Sequence, residues 1–63
     1  MLNTKVTYAL ADWIREWIKL RNESPSIEDC MKFVEWKIGG IHLNENDKIQ
    51  IEAIRLYETS TID

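Results

Sequence analysis

The apolar positions in the first third of the chain recur with the period of an α-helix. Asn3 or Thr4 can cap the start of this helix, and the basic residues Lys19 and Arg21 suit the negative end of its dipole. We therefore predict a helix over residues 3–22. At about 100° per residue its apolar side chains form one stripe that is wider than a single neighbouring helix covers: Val6, Ala9, Leu10, Trp13, Ile14, Trp17, Ile18 and Leu20.

A second helix is predicted over residues 25–39. The break before it offers two alternative caps, which are Ser24 followed by Pro25, or Ser26 followed three residues later by Asp29. A pair of glycines after residue 38 ends the helix, as glycine commonly does. The apolar side chains that recur at helical spacing, and that we expect in the core, are Ile27, Cys30, Met31, Val34 and Ile38.

The third element admits two interpretations. Residues 41–51 alternate apolar and polar side chains, which favours a short β-hairpin and gives the alternative of two helices plus a hairpin. Against it, Asn44 with Asp47 is typical of a helix cap, and good helix formers follow. We predict a helix over residues 45–59, and thus an all-α three-helix mini-domain. The apolar stripe expected on the third helix consists of Ile49, Ala53, Ile54, Leu56 and Tyr57.

The length of the chain limits what it can bury. Its 63 residues make one domain, residues 1–63, and a chain this short buries only about 60% of the surface that its unfolded form exposes. Such a core cannot enclose the whole wide face of the first helix together with the stripes of two other helices. We therefore expect a homodimer or other homo-oligomer whose self-association residues are Trp13, Ile14, Trp17 and Ile18.

The inventory of reactive side chains argues against catalysis. The one cysteine, Cys30, lies on a predicted apolar face, and the one histidine, His42, lies in a connection. One thiol and one imidazole cannot supply a structural zinc site, and the glycine pair lacks the pattern of a phosphate-binding loop. The chain is also too short to enclose the pocket that a substrate usually needs. The sequence predicts no enzyme, no metal site and no cofactor.

Net charge and the apolar pattern restrict which partners and which cellular location we expect for the protein. The formal net charge is −3, the wrong sign for a domain that neutralises phosphates, so nucleic acid is disfavoured as a partner. No signal peptide is recognisable, and no apolar stretch approaches the 18 or so residues of a membrane span. We expect a cytoplasmic protein that does not enter a membrane.

A short segment supports one alternative function. The sequence Glu23-Ser24-Pro25-Ser26-Ile27-Glu28-Asp29 resembles the joint between the first two helices of LexA-type winged-helix domains, over about eight residues. The resemblance implies a helix-turn-helix regulator that binds DNA. The third element, which can stand in the place of a recognition helix, has Lys48 and Arg55 as its basic residues.

The aromatic side chains indicate a protein partner. Trp36 projects among polar neighbours on the second helix, with Phe33 three residues earlier, and Tyr8 lies on a polar face of the first helix. Tryptophan, tyrosine and arginine are the residues that most often anchor protein interfaces. We predict that Phe33, Trp36 and Tyr8 bind a partner protein of unknown identity, and that the chain is a small regulator or inhibitor that occludes its partner's surface.

Overall fold

Three α-helices make up the fold. The computed structural model describes residues 2–40 and 42–60, and the helices are α1 (Thr4–Arg21), α2 (Ile27–Lys37) and α3 (Glu45–Thr59). Each helix packs against both of the others. The described ranges contain no strand, so the all-α, three-helix prediction is confirmed and the hairpin alternative is wrong. Ile41, where that hairpin was to begin, lies outside the described residues.

Side-chain caps fix where the first two helices begin. The Asn3 side chain accepts a hydrogen bond from the backbone N–H of Val6 at 2.8 Å, and Ser26 Oγ accepts one from the N–H of Asp29 at 3.1 Å. Of the two caps open to α2, the structure uses Ser26, and the helix begins two residues later than predicted. It ends at Lys37 because the glycine pair that follows adopts left-handed φ angles of +85° and +84°.

A capping box starts α3 and explains why no hairpin forms there. Asn44 Oδ1 accepts from the N–H of Asp47 at 2.8 Å, and the Asp47 carboxylate accepts from the N–H of Asn44 at 3.3 Å. The two bonds satisfy two backbone donors that the first turn of a helix leaves without partners. The capping box therefore starts a helix in this segment, although its apolar and polar residues alternate as in a strand.

The core lies where the three helices meet. Val6, Leu10 and Ile14 follow one another at intervals of four residues and form the buried line of α1. Ile14 had been predicted to contact a second copy of the chain. Its side chain is instead fully buried inside its own chain, so it is not on a surface that a second copy can reach. The reason is that α1 packs against both α2 and α3 along the line that contains Ile14, while Trp13 and Trp17 lie beside this line and are half-buried. The buried apolar cluster consists of Leu2, Val6, Leu10, Ile14, Cys30, Val34 and Ile51.

The buried face of α3 differs from the predicted stripe. Ile49 was expected inside, but its side chain is 63% exposed, whereas Ile51 is completely buried. Two acidic residues, Asp47 and Glu58, are buried on the same side as Ile51. Because sequence patterns assign carboxylates to the surface, the stripe was placed on the wrong side of this helix. The outer face of α3 consequently presents Ile49, Leu56 and Tyr57 to solvent.

Candidate protein-binding site

Four aromatic rings form an unbroken series along the junction of α1 and α2, and we term this series the aromatic ladder: Trp17, Trp13, Phe33 and Trp36. Trp13 lies between Trp17 and Phe33, and its ring centroid is 5.2 Å from that of Trp17. On its other side it stacks on Phe33 at 4.8 Å, with an angle of 14° between the ring planes. Phe33 lies 6.1 Å from Trp36. These separations are those of favourable aromatic pairs.

Helix geometry brings these rings together. Trp13 and Trp17 are four residues apart on α1, and Phe33 and Trp36 are three apart on α2, so each pair shares one face of its helix. Trp13 and Phe33 are half-buried and pack against the core, and they anchor the ladder. Trp36 is 71% exposed. The ladder therefore runs from the packed interface between two helices out to a ring that projects into solvent.

A positive charge lies at each end of the ladder. The Arg21 guanidinium stands 4.2 Å from the centroid of the Trp17 ring, and the Lys37 ammonium stands 5.3 Å from that of Trp36. Both are cation–π distances. The two terminal rings are thus covered in part by cations, and a partner that binds the ladder meets an apolar strip bounded by positive charge.

Trp17 carries a further feature. Its indole N–H is buried and finds no hydrogen-bond acceptor among the described residues. A buried donor without an acceptor costs about 1–3 kcal/mol. The ladder therefore holds one unsatisfied donor, on the same ring that Arg21 covers.

Tyr8 lies on another face of the molecule. It lines a groove of about 460 Å³ between α1 and α3, with Tyr57 on the opposite helix and Ala11 and Ile54 also in the lining. Tyr8 and Tyr57 are 67% and 75% exposed. The structure therefore brings Phe33 and Trp36 together, as predicted for one surface, but it separates Tyr8 from them.

An ion pair braces the same side of the bundle. Arg15 Nη1 donates to Glu58 Oε2 at 3.1 Å, and the guanidinium also pairs with Asp12. Glu58 is buried and Asp12 is exposed. This contact joins α1 to the last turn of α3, and both of its residues line the groove that contains Tyr8 and Tyr57.

A smaller groove lies between α2 and α3. Its volume is about 280 Å³, and its lining consists of Ile27, Glu45, Lys48, Ile49 and Glu52. Arg55 stabilises this side, because its Nε donates to Glu52 at 3.2 Å and its Nη1 donates to the Pro25 carbonyl at 3.4 Å. The groove thus has isoleucine side chains from two helices, and both carboxylates and the Lys48 ammonium group from α3. We refer to it below as the α2–α3 groove.

The reactive side chains are not brought together. Cys30 is fully buried, and this burial raises the pKa of its thiol to about 11. His42 is exposed and lines a cleft of about 970 Å³ at one end of the bundle, together with Leu2, Lys5, Lys37 and Asn44; Cys30 does not line that cleft. Within residues 2–40 and 42–60, no three His, Cys, Asp or Glu side chains are grouped closely enough to hold a metal ion. In the same ranges each helix is too short or too polar to cross a lipid bilayer.

Four residues of these surfaces were missed by sequence reasoning. Arg21 follows Trp17 by four residues, and this spacing was a usable signal for a cation over the ring. Lys37 adjoins Trp36 in sequence, and adjacent helical residues do not ordinarily face each other, so its contact was not predictable. Leu20, which is 79% exposed, and Ile49 had been placed on the apolar stripes of their helices and not among the partner-binding residues.

Comparison with known proteins gives no relative. No protein-family model, curated protein or solved structure matches this chain. Its function must therefore be inferred from the surfaces described above.

Proposed function

We propose that this chain is a non-enzymatic protein-protein interaction module that acts as a stoichiometric regulator or inhibitor by covering a surface of its partner. The observation that carries the proposal is the aromatic ladder, which ends in the exposed ring of Trp36. Large rings and arginine are the commonest anchors of protein interfaces. Here they occur together in a series that two helices hold in place.

The ladder is suited to binding because it is already ordered. Trp13 and Phe33 stack on each other and on the core, so their conformations are restricted before a partner arrives. Restricting a flexible side chain on binding costs about 0.5–1.5 kcal/mol, and a preformed surface avoids much of this cost. Leu20, exposed three residues beyond Trp17, extends the apolar area.

We also propose self-association, with a homodimer as its simplest form. Trp13, Trp17 and Ile18 are half-buried and retain apolar surface that a second copy can cover, whereas Ile14 leaves the predicted set because it is fully buried. Sedimentation equilibrium tests this proposal directly. We expect the apparent mass to rise with protein concentration, and a constant monomer mass into the millimolar range would contradict it.

DNA binding is the weaker alternative. In α3 the basic residues Lys48 and Arg55 are outnumbered by Glu45, Asp47, Glu52 and Glu58. Arg55 is also committed to Glu52 and to the Pro25 carbonyl. A helix that reads DNA needs cations directed at phosphates and bases. The negative net charge of α3 therefore favours a protein partner over DNA. The lone thiol of Cys30 forms no disulfide in this chain, and a free thiol suits a cytoplasmic location for the protein.

Capture from an extract of the native host tests the protein-binding function. The tagged chain, its Trp36→Ala variant and a Tyr57→Ala control are compared, since Tyr57 is equally exposed but lies away from the ladder. We expect the unaltered chain and the control to retain one protein in a fixed stoichiometry, and Trp36→Ala to lose about tenfold or more in affinity. A partner retained equally by all three would place its contact elsewhere.

A further inference from the structure

We propose that a second copy of this chain covers the whole aromatic ladder, so that paired copies have no free binding surface and only the single chain binds its partner. This regulation rests on the proposed function, because it makes one surface serve both contacts. The occupant of the ladder in a pair is the protein itself.

A stable dimer needs more apolar area than Trp13, Trp17 and Ile18 retain. A fully buried aromatic side chain contributes about 150–250 Å². Trp13 and Trp17 are already half-buried within their own chain, so the two rings together offer about 150–250 Å², and the smaller Ile18 is half-buried too. A stable interface covers about 800 Å² on each partner. A second copy must therefore cover neighbouring side chains as well.

The rest of the ladder is the apolar surface continuous with these residues. Phe33 stacks on Trp13 at 4.8 Å, and Trp36 follows Phe33 at 6.1 Å. Trp36 is 71% exposed, and Leu20, three residues after Trp17, is 79% exposed. Covering these side chains supplies the large apolar groups from which the centre of an interface is built.

Other exposed apolar side chains lie at different helix junctions. Tyr8 and Tyr57 line the groove between α1 and α3, and the α2–α3 groove opens at the junction of those two helices. On α1 the exposed side chains of Asp12 and Glu16 lie between Trp13 and Tyr8 around the helix. A contact that extends from Trp13 therefore reaches Phe33 and Trp36 through neighbouring rings, but crosses polar surface to reach Tyr8.

The cations of the ladder fall at the edge of such an interface. Arg21 lies over Trp17 and Lys37 lies over Trp36, which are the two terminal rings. Both cations are exposed, so salt screens the repulsion between those of two copies. The interface then has an apolar centre and a polar rim, as protein interfaces commonly do.

A partner protein and a second copy consequently compete for the ladder. Neighbouring rings are at most 6.1 Å apart, whereas an interface of about 800 Å² on each side extends over several such spacings. A protein bound to Phe33 and Trp36 therefore also covers Trp13. As the concentration of the chain rises, the fraction able to bind a partner falls, and the apparent affinity falls with it.

Hydroxyl-radical labelling read by mass spectrometry tests this pairing without the partner. The unaltered chain is labelled at concentrations below and above the range in which sedimentation equilibrium shows self-association. Where about nine tenths of the copies are paired, Trp36 should react at about one tenth of its monomer rate, because only single chains expose it. Tyr8 and Tyr57 are internal controls whose labelling should not change.

Three results of these measurements would overturn the proposal. The first is a Trp36 that stays fully reactive in paired copies. The second is protection of Tyr8 and Tyr57 in place of Trp36. The third is a constant monomer mass, because no pair then exists to cover the ladder.

A pair of alanine variants gives a matched measurement of affinity. Trp36→Ala should weaken self-association about tenfold, as loss of a central aromatic contact does, and should not abolish it because Trp13 and Trp17 remain. Tyr57→Ala, which removes an equally exposed ring on α3, should self-associate like the unaltered chain. Circular dichroism and thermal unfolding check that both variants are folded. Equal self-association of the two variants would contradict the pairing.

Mixed copies connect pairing to partner capture. A tagged chain is loaded with an untagged copy and then exposed to an extract of the native host. We expect the untagged copy to be released in proportion to the host protein that the tagged chain retains. An untagged copy that stays beside the retained host protein would overturn the competition.

Pairing and the proposed function fail in different ways. Capture that depends on Trp36, together with a Trp36 that stays reactive in paired copies, would overturn the pairing and leave the proposed function intact. A Trp36 that is protected in paired copies but has no effect on capture would overturn the proposed function.

Discussion

Replacing Ile14 by alanine tests whether the centre of α1 belongs to the core of a single chain. Ile14 is fully buried in a cluster with Leu10, Val34 and Ile51. Replacement by alanine removes most of the side chain and leaves a cavity that the surrounding residues fill only in part. We expect a loss of about 2–5 kcal/mol in the free energy of unfolding.

The size of the chain makes this loss decisive. A 63-residue protein at about 0.05–0.15 kcal/mol per residue has a total free energy of unfolding of about 3–9 kcal/mol. At about 4–8 °C for each kcal/mol, Ile14→Ala lowers the melting temperature by about 8–40 °C. Ile14→Val, at about 0.5–1.5 kcal/mol, keeps the protein folded and gives a second point on the same scale.

The assay is urea and thermal unfolding followed by circular dichroism at several protein concentrations. Leu20→Ala is the matched control, since Leu20 lies on the same helix but is 79% exposed, and we expect it to change stability by less than about 0.5 kcal/mol. The reasoning would be refuted if the Ile14 variants lost no more stability than Leu20→Ala. It would also be refuted if their loss disappeared on dilution, because that dependence would identify Ile14 as a contact between copies.

Three further predictions follow from polar and reactive groups. Arg15→Ala should lower the free energy of unfolding, because it removes the contact between α1 and the buried carboxylate of Glu58. Asp12→Ala should lower it less, since the Arg15–Asp12 pair is exposed; equal effects in urea titrations would contradict this account. Cys30 should resist alkylation at neutral pH until the protein unfolds, and since its folded pKa of about 11 exceeds the unfolded value of about 8.5, stability should fall as the pH rises between these values. A Cys30→Ala variant with the same slope of stability against pH would show that other groups cause the decrease. Asn44→Ala should cost about 1 kcal/mol through loss of the capping box, which thermal unfolding measures against Asn46→Ala, an exposed change inside the first turn.

The extent of the helices was predictable because local signals set their ends. Asn44 and Asp47 specify the start of α3 through their own hydrogen bonds, and these residues are visible in the sequence. α2 was predicted two residues too long at each end, because Ser26 prevailed over Ser24 as its cap and the left-handed glycines terminate it before residue 38. Which serine caps α2, and at which residue the helix ends, depends on backbone geometry that the residue types alone do not specify.

The buried faces were harder to predict because two carboxylates lie inside. Glu58 is buried where it meets Arg15 of α1, and Asp47 is buried in the capping box. A hydrophobic pattern counts both residues as exposed, so it placed Ile49 inside and omitted Ile51. The pairing of Glu58 with Arg15 spans most of the chain, and no local signal in the sequence indicates it.

The candidate site was predicted in its parts and not in its arrangement. Trp36 and Phe33 were chosen because their ring types and positions departed from the core stripe. The stacking of Phe33 on Trp13 depends on how α1 and α2 pack, and the sequence of either helix alone does not contain it. Tyr8 was grouped with Trp36 on residue type, but helix packing directs it to the groove shared with α3.

The close approach of the tryptophan rings also affects how this protein is observed in spectroscopy. Trp13 and Trp17 lie 5.2 Å apart with their planes inclined by 55°, an arrangement in which the electronic transitions of the two indoles couple. Coupled indoles contribute their own bands to far-ultraviolet dichroism, where helix content is ordinarily read. The native spectrum therefore combines a backbone signal with an aromatic one, and the aromatic part vanishes when α1, which carries both rings, unfolds and the rings reorient.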